Sequence, residues 1–483
     1  MIDFLGQGII VSAYLLGLLL AALTGSRWEQ GYPDQVMNGL FIAIGIAAIF
    51  SVNLQLQTWL NLIDTGIFDI WSMGLSGARP YANLGQPNQL ATLLLWGVLA
   101  AAWALTQKEI GVWVAVCMSA FLLTGIALTQ SRTAWLGLLF LVACSWGWRA
   151  LWRSRWVPWA ISGLFIYFCI CYFSIHSIGF FLGIGQEGDP FRGGFSGDLR
   201  FPAWKMLMGA ALERPWFGYG WTEIGRAQFE VAESFPVLFP VFAHSHNLFL
   251  DLVLWLGIPL GLAISVSLMA WYVMRLHLVA CAKDAILVMF LGVVGIHAML
   301  EFPLHYGYFL FPAAVAMGVL NHRLPGGRKW TTLRWPLILG WVVAAVLLSG
   351  IIRDYFRVES SLREVRFEVA RIGTLPIGKP PEVLMLTQLR ENIVFMRYEV
   401  KEGMGIDELA WLKSIVISYP SGGRIYKVAK ALALNGQSAE AVSWLRKICR
   451  ISSPTECALI QRAWLKESRE NALMASVSWP SDE

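Results

Sequence analysis

Long apolar runs alternate with short polar links along most of this chain, and the runs have the length of a bilayer rather than of a soluble core. A helix needs about 20 predominantly apolar residues to cross the hydrocarbon layer. Runs near that length occur at 7–24, 37–53, 89–106, 111–128, 133–151, 157–180, 247–274, 285–300, 304–321 and 335–352. They predict an all-α, polytopic membrane protein of about ten transmembrane helices. The run at 247–274 is unusually long and is interrupted by Gly257 and Pro259, so a kink or break is expected there.

The polar links predict an orientation. Arg149, Arg153 and Arg155 follow the fifth run, Arg275 and Lys283 the seventh, and Arg323, Arg328, Lys329 and Arg334 the ninth. Excess Lys and Arg mark the cytoplasmic side, and these three links are each two spans apart. The N-terminus, the links at 54–88, 129–132, 181–246 and 301–303, and everything from residue 353 then share the opposite face. Met1–Gly25 has no basic leading segment and does not read as a cleavable signal peptide.

Composition sharpens this picture. Hydrophobic residues make up 57% of the 483 and charged residues only 14%, against roughly 25% charged in soluble domains; mean hydropathy is +0.57. Of the 69 charged residues, 35 lie in 353–483. The chain therefore divides into a membrane domain at 1–352 and a soluble C-terminal domain at 353–483. That tail opens with a charged amphipathic stretch, Arg353–Ile372, followed by a Pro/Gly break at Pro376–Pro381. Tyr426–Ile451 then reads as two short helices about Asn435-Gly436, similar to one tetratricopeptide-like hairpin. A net charge of +5 calls for no polyanionic partner, and nucleic-acid binding is excluded along with disorder. Seven scattered cysteines form no metal framework; five sit in apolar runs as packing residues, while Cys449 and Cys457 lie together in the tail and would pair if it faces an oxidising compartment.

Four polar clusters fall on the face opposite the basic links. They are Arg79–Gln89; Thr129–Trp135; the 181–246 link with Arg200, Trp204, Arg214 and Gly218-Tyr219-Gly220, ending at His244-Ser245-His246-Asn247; and Glu301–Tyr308. Arginine offers a planar fork to phosphate, and imidazole moves protons near neutral pH. Together they suit transfer of a group off a lipid-linked pyrophosphate, with arginines neutralising the leaving diphosphate and a histidine taking the proton of the attacking hydroxyl. Each residue also has a structural reading. Arg79 and Arg132 could snorkel at the interface, His244 and His246 could begin a metal site that no nearby cluster completes, and His297 could be a packed helix contact. Glu301 could be held in an ion pair, and Trp204 could stack on sugar or sit in lipid. No nucleotide or zinc-protease motif is present, so neither metal nor cofactor is expected.

At these clusters the chain resembles the O-antigen ligase/polymerase superfamily, and within it the protein O-oligosaccharyltransferases of the PglL and PilO type. Five segments carry the likeness: Arg79 to Leu90, Gln130-Ser131-Arg132, Trp204 with Arg214 to Gly220, His244 to Leu248 with Gly257 to Gly261, and Glu301 to Leu310. The resemblance covers about residues 1–350, and a C-terminal extension is typical of the protein-glycosylating branch. It implies a GT-C-like, multi-pass enzyme of the bacterial inner membrane with its site and tail in the periplasm. Such an enzyme moves a glycan from undecaprenyl pyrophosphate to a Ser or Thr hydroxyl of an acceptor protein, pilin being the expected one, without cofactor or metal. It implies His246 as the catalytic base with His244 as its near rival. Arg132, Arg200, Arg79, Arg214 and Gln130 would lie on the donor, and Asn247, Tyr306, Glu301 and Trp204 on the acceptor side. The alternatives are O-antigen ligase or polymerase activity with the same donor and, in a different class, a lipid-linked glycan transporter.

Overall fold

The computed structural model describes residues 5–62, 79–184, 199–326, 334–370, 372 and 378–480. Arg328 and Lys329 of the basic links and Pro376 of the tail lie outside them. Every regular element among the described residues is helical. In chain order these are α1 (Leu5–Gly31), α2 (Gln35–Trp59), α3 (Pro87–Thr106), α4 (Val112–Leu128), α5 (Arg132–Gly147), α6 (Val157–Phe181), α7 (Arg200–Glu213), α8 (Ile224–Val231), α9 (Leu248–Leu256), α10 (Ile258–Leu278), α11 (Ala282–Ala298), α12 (Gly307–Arg323) and α13 (Arg334–Ala370). The tail adds α14 (Thr387–Arg397), α15 (Ile406–Ser418), α16 (Gly422–Leu434), α17 (Ser438–Ile451), α18 (Pro454–Glu470) and α19 (Ala472–Ala475).

Each of the ten apolar runs is helical, and the long one splits at Gly257 into α9 and α10 as the Gly-Ile-Pro sequence requires. Helices α1, α2, α3, α6, α10 and α13 are long and apolar enough to cross a membrane, while α4 and α5 are apolar but shorter. The amphipathic stretch expected from Arg353 is not a separate element. It continues the last apolar run as one helix of 37 residues, because 351–370 contains neither glycine nor proline to stop it.

The chain forms two compact units. One comprises Gly17–Asp198 and Ser267–Gly340. Its core gathers Trp96, Trp103, Phe290 and Phe309, with Trp96 stacked on Phe290 at 3.9 Å between centroids. Residues Ala285–Phe290 of α11 are buried without interruption, as befits a helix apolar all round. Polar side chains collect at the two ends of this unit. At one, Arg323 pairs with Glu29 at 2.7 Å and with Asp34, and Lys283 reaches Asp34 at 2.5 Å. Burial alone would raise the Asp34 carboxyl, but Lys283 and Arg323 hold it below the ordinary carboxylate range. At the other end Ser131, Asn88 and Glu301 are joined by hydrogen bonds, Asn83 is bonded to Ser51 and Gln89 to Tyr308.

The other unit comprises Met1–Leu16, Leu199–Val266 and Trp341–Glu483. Helices α7 to α9 share a core of Met206, Leu207, Tyr219, Ile224, Leu254 and Trp255. The tail has its own core around Leu412, Val416, Ile425, Leu432, Leu445 and Trp464, which also takes in Phe229 and Ala232 from the link that follows α6. Leu238 N donates to Arg450 O at 3.1 Å, and Phe229 packs on Trp444. The beginning of α1 joins the same unit: Gln7 Nε2 donates to Glu223 Oε1 at 3.1 Å and to Tyr419 OH at 2.9 Å. The expected helical hairpin is α16 and α17, turning at Asn435-Gly436.

Cys449 and Cys457 form a disulfide joining α17 to α18, with Cα atoms 5.1 Å apart. Closing so short a loop removes about 2–3 kcal/mol worth of unfolded-state freedom. The C449S/C457S protein is expected to lose about that much stability in the tail, read as a lower melting temperature that reductant reproduces in the wild type. Unchanged melting in both would show that the bridge contributes nothing.

Candidate active site

The histidine segment is a turn locked by its own neighbours. Asn247 ends the extended approach and caps α9, its Oδ1 accepting from Phe249 N and Leu250 N. Asp251, buried in the first turn of α9, accepts from Ser245 N at 2.8 Å. Trp204 of α7 donates its indole N–H to Ser245 O at 2.7 Å. Ser245 Oγ donates to Asn247 O and accepts from Asn247 N. Both backbone polar groups of Ser245 are therefore fixed, and a histidine leaves the chain on either side of it. His246 adopts φ 59°, the left-handed region, which costs a non-glycine residue about 1–3 kcal/mol and tends to occur where a side chain must be aimed. Its ring meets Phe242 edge to face at 6.3 Å. Both His244 and His246 are half-buried.

A second device sets the approach of α9 to α10. Gly257 has φ 82° and ψ 165°, a region essentially restricted to glycine. A Cβ there would lie 2.3 Å from Trp216 O, and one on Gly218, at φ 64°, would lie 2.3 Å from Leu254 O. Tyr219 N donates to Leu254 O at 2.6 Å and Ile258 N to Pro215 O at 2.7 Å. The Pro-Trp-Phe-Gly-Tyr-Gly and Gly-Ile-Pro segments are thus two halves of one backbone seam. A G257A protein is expected to lose most of its monodisperse yield in size-exclusion chromatography, because strain and overlap act on the same atom; a normal yield would show that the seam is slack.

The remaining residues predicted in this unit divide by contact. Arg200 is the first residue of α7 and half-buried. Arg214 pairs with Glu230 at 2.7 Å and lies over Tyr219 at 4.8 Å, so its guanidinium is already engaged in holding the link. Trp204 serves the turn through its indole N–H, and Asn247 through its backbone N–H and C=O and its side-chain Oδ1.

Three of the five segments meet in the other unit. Ser131 Oγ donates to Asn88 Oδ1 at 2.6 Å, and Asn88 Nδ2 donates to Glu301 Oε1 at 3.2 Å. Tyr308 OH donates to Gln89 Oε1 at 2.7 Å. Ser131 also caps α5, accepting from Ala134 N, and this sets Arg132 in the first turn of that helix with an exposed side chain. Gln130, at φ 51°, donates to Ala127 O at 3.1 Å. Tyr306 stacks between Phe302 and Tyr308, and Arg79 is exposed. Buried His297 contacts Thr92 Oγ1 at 2.8 Å, the packed helix contact expected of it.

Asp251, Ser245, Asn88 and Ser131 received no role from the sequence. Asp251 alone carried a signal, as the acidic residue inside the apolar run 247–274, where a charge is costly unless paired. Arg132 and Arg200 share a further property: each occupies the first turn of its helix, where unpaired N–H groups and the helix dipole already favour anions. A cation there gains nothing from the helix.

Matches to known proteins follow the same segments. The family model described as O-antigen ligase matches residues 117–265. That for the C-terminal part of virulence factor membrane-bound polymerases matches 285–450, and that for protein glycosylation ligase matches 80–105. A general O-oligosaccharyltransferase of Acinetobacter baylyi is 27% identical over 464 residues, 93% of this chain and 79% of the relative. A ComP-specific O-oligosaccharyltransferase of the same organism is 26% identical over 324 residues, 64% of this chain and 56% of the relative. No solved structure matches. The motifs, their hydrogen-bonded contacts and these matches agree: the chain is similar to the O-antigen ligases and to the protein O-oligosaccharyltransferases.

Proposed function

We propose that this protein is a periplasm-facing O-oligosaccharyltransferase of the inner membrane, moving a glycan from undecaprenyl pyrophosphate to a Ser or Thr hydroxyl of an acceptor protein, with pilin the expected acceptor. The observation that carries the reading is the pinned His244-Ser245-His246 turn, a device that aims an imidazole at the cost of a left-handed residue. In the proposed step the acceptor hydroxyl oxygen attacks the anomeric carbon while its proton passes to His246. The bond from that carbon to the pyrophosphate oxygen breaks, and undecaprenyl pyrophosphate leaves with the electron pair. Arg132 and Arg200 bind the departing diphosphate, with Arg79 and Gln130 on the donor side. Glu301, held by Asn88, and Tyr306 face the acceptor or the sugar. One direct displacement inverts the anomeric configuration. The Cys449–Cys457 disulfide supports a tail in an oxidising compartment.

The test is reconstitution of the full-length protein with a purified lipid-linked glycan and a pilin acceptor, read by intact mass and by release of undecaprenyl pyrophosphate. A glycan mass on Ser or Thr with stoichiometric release is expected. The matches to O-antigen ligases and to membrane-bound polymerases favour one rival. Release that needs lipid A–core or a second lipid-linked glycan in place of protein would make the enzyme a ligase or polymerase. No release with any acceptor would leave transport as the reading.

A further inference from the structure

Helix α7 is apolar on two opposite faces, and its own unit covers only one of them. Ala203, Met206, Leu207, Ala210 and Ala211 are buried against α8 and α9. On the other side Phe201, Met208 and Leu212 are 60%, 61% and 71% exposed, and Trp216 and Phe217 just beyond the helix are 71% and 90% exposed. Positions 201, 208 and 212 follow helical spacing and form one stripe. A helix hydrophobic all round belongs inside a core or in lipid. At 14 residues, about 21 Å, α7 is too short to span a hydrocarbon layer of about 30 Å.

The chain itself shows what lies beside the stripe. Ile258 N at the start of α10 donates to Pro215 O at 2.7 Å, and Gly257 packs against the Trp216 carbonyl. Helix α10 is long and apolar enough to cross a membrane, and its Leu260 and Leu262 are half exposed where it begins. Trp216 and Phe217 are therefore tied by backbone hydrogen bonds to the level at which a membrane helix starts, the depth at which aromatic side chains concentrate. Lys205 and Glu213 are exposed beside the stripe rather than on the buried face, with the reach to keep their charges in water.

We infer that α7 lies flat in the membrane interface, with Phe201, Met208, Leu212, Trp216 and Phe217 inserted among the lipid acyl chains. On the transferase reading, on which this one consequence rests, Arg200 at the head of α7 then stands at the depth of a lipid-linked diphosphate.

An environment-sensitive fluorescent amino acid placed at Met208, and separately at Leu212, tests this in the full-length protein in phosphatidylethanolamine–phosphatidylglycerol nanodiscs without donor or acceptor. The same probe at Glu213 is the control. Blue-shifted emission, quenching by acyl-chain-brominated lipid and no response to aqueous iodide are expected at 208 and 212, with iodide quenching at 213. Iodide quenching at 208 and 212 would mean that the face is in water and would overturn the inference. Shielding from both quenchers would mean that protein covers it, from this chain or a second copy, and would overturn it equally. Two independent positions guard against one probe disturbing the fold. Because no glycan is present, failure here would leave the transferase reading standing.

Discussion

Replacing His246 by Asn is expected to slow glycan transfer about 10²–10⁴-fold, the usual contribution of a positioned general base, with little change in melting temperature. Asparagine is the informative substitution because it tolerates the left-handed conformation that His246 adopts at φ 59°, whereas alanine would add backbone strain to the lost imidazole. The measurement is the initial rate of undecaprenyl pyrophosphate release from the reconstituted protein, beside a thermal unfolding curve. Asp251 supplies the complementary arm. It accepts from Ser245 N at 2.8 Å and so positions the turn, and D251N is expected to lower kcat with KM for the donor nearly unchanged. A His246→Asn protein that transfers at the wild-type rate would remove His246 as base. If H244A then lost the activity, the proton would go to His244, on the other side of the same pinned serine.

The apolar helices were legible because their signal is local. Run length places each of the ten runs on a helix, six of those helices among the described residues being long and apolar enough to cross a membrane, and the Gly257–Pro259 interruption marks the break between α9 and α10 without reference to any contact. The change in charge density near Arg353 is equally local, but a change in composition does not stop a helix, and α13 runs through it to Ala370. Residue type made His246, Arg132 and Glu301 candidates. What holds their segments in place did not show, since it lies far away in sequence. Ser131 and Asn88 are 43 residues apart, Asn88 and Glu301 213 apart, and Trp204 reaches Ser245 across 41. Nothing in the spacing of Gly218 and Gly257 announces that each occupies the room a Cβ would need on the other's strand of backbone. The partners of Arg214, Glu230 and Tyr219, were equally invisible in the spacing.

Arg132 and Arg200 can be separated from such structural arginines by the sign of the stability effect. A structural arginine, once removed, leaves its carboxylate partner uncompensated and the protein weaker. An arginine in the first turn of a helix opposes the macrodipole, and its removal favours the helix by about 0.3–1 kcal/mol. R132A is therefore expected to hold or raise the melting temperature while cutting transfer about 10²–10³-fold, the usual loss when one preorganised charge-stabilising donor is removed. R200A should behave alike through α7. The lysine variants discriminate further: lysine keeps the charge but lacks the paired fork that matches a diphosphate, so R132K should recover part of the lost rate and not all of it. R214A serves as the contrast, with slightly lowered melting expected from the loss of its pair with Glu230 and its contact with Tyr219, Arg226 remaining on Glu230. If R132A instead lowered the melting temperature and left the rate per folded molecule unchanged, Arg132 would be an interfacial anchor, and the pyrophosphate would have to be held by Arg200 and Arg79.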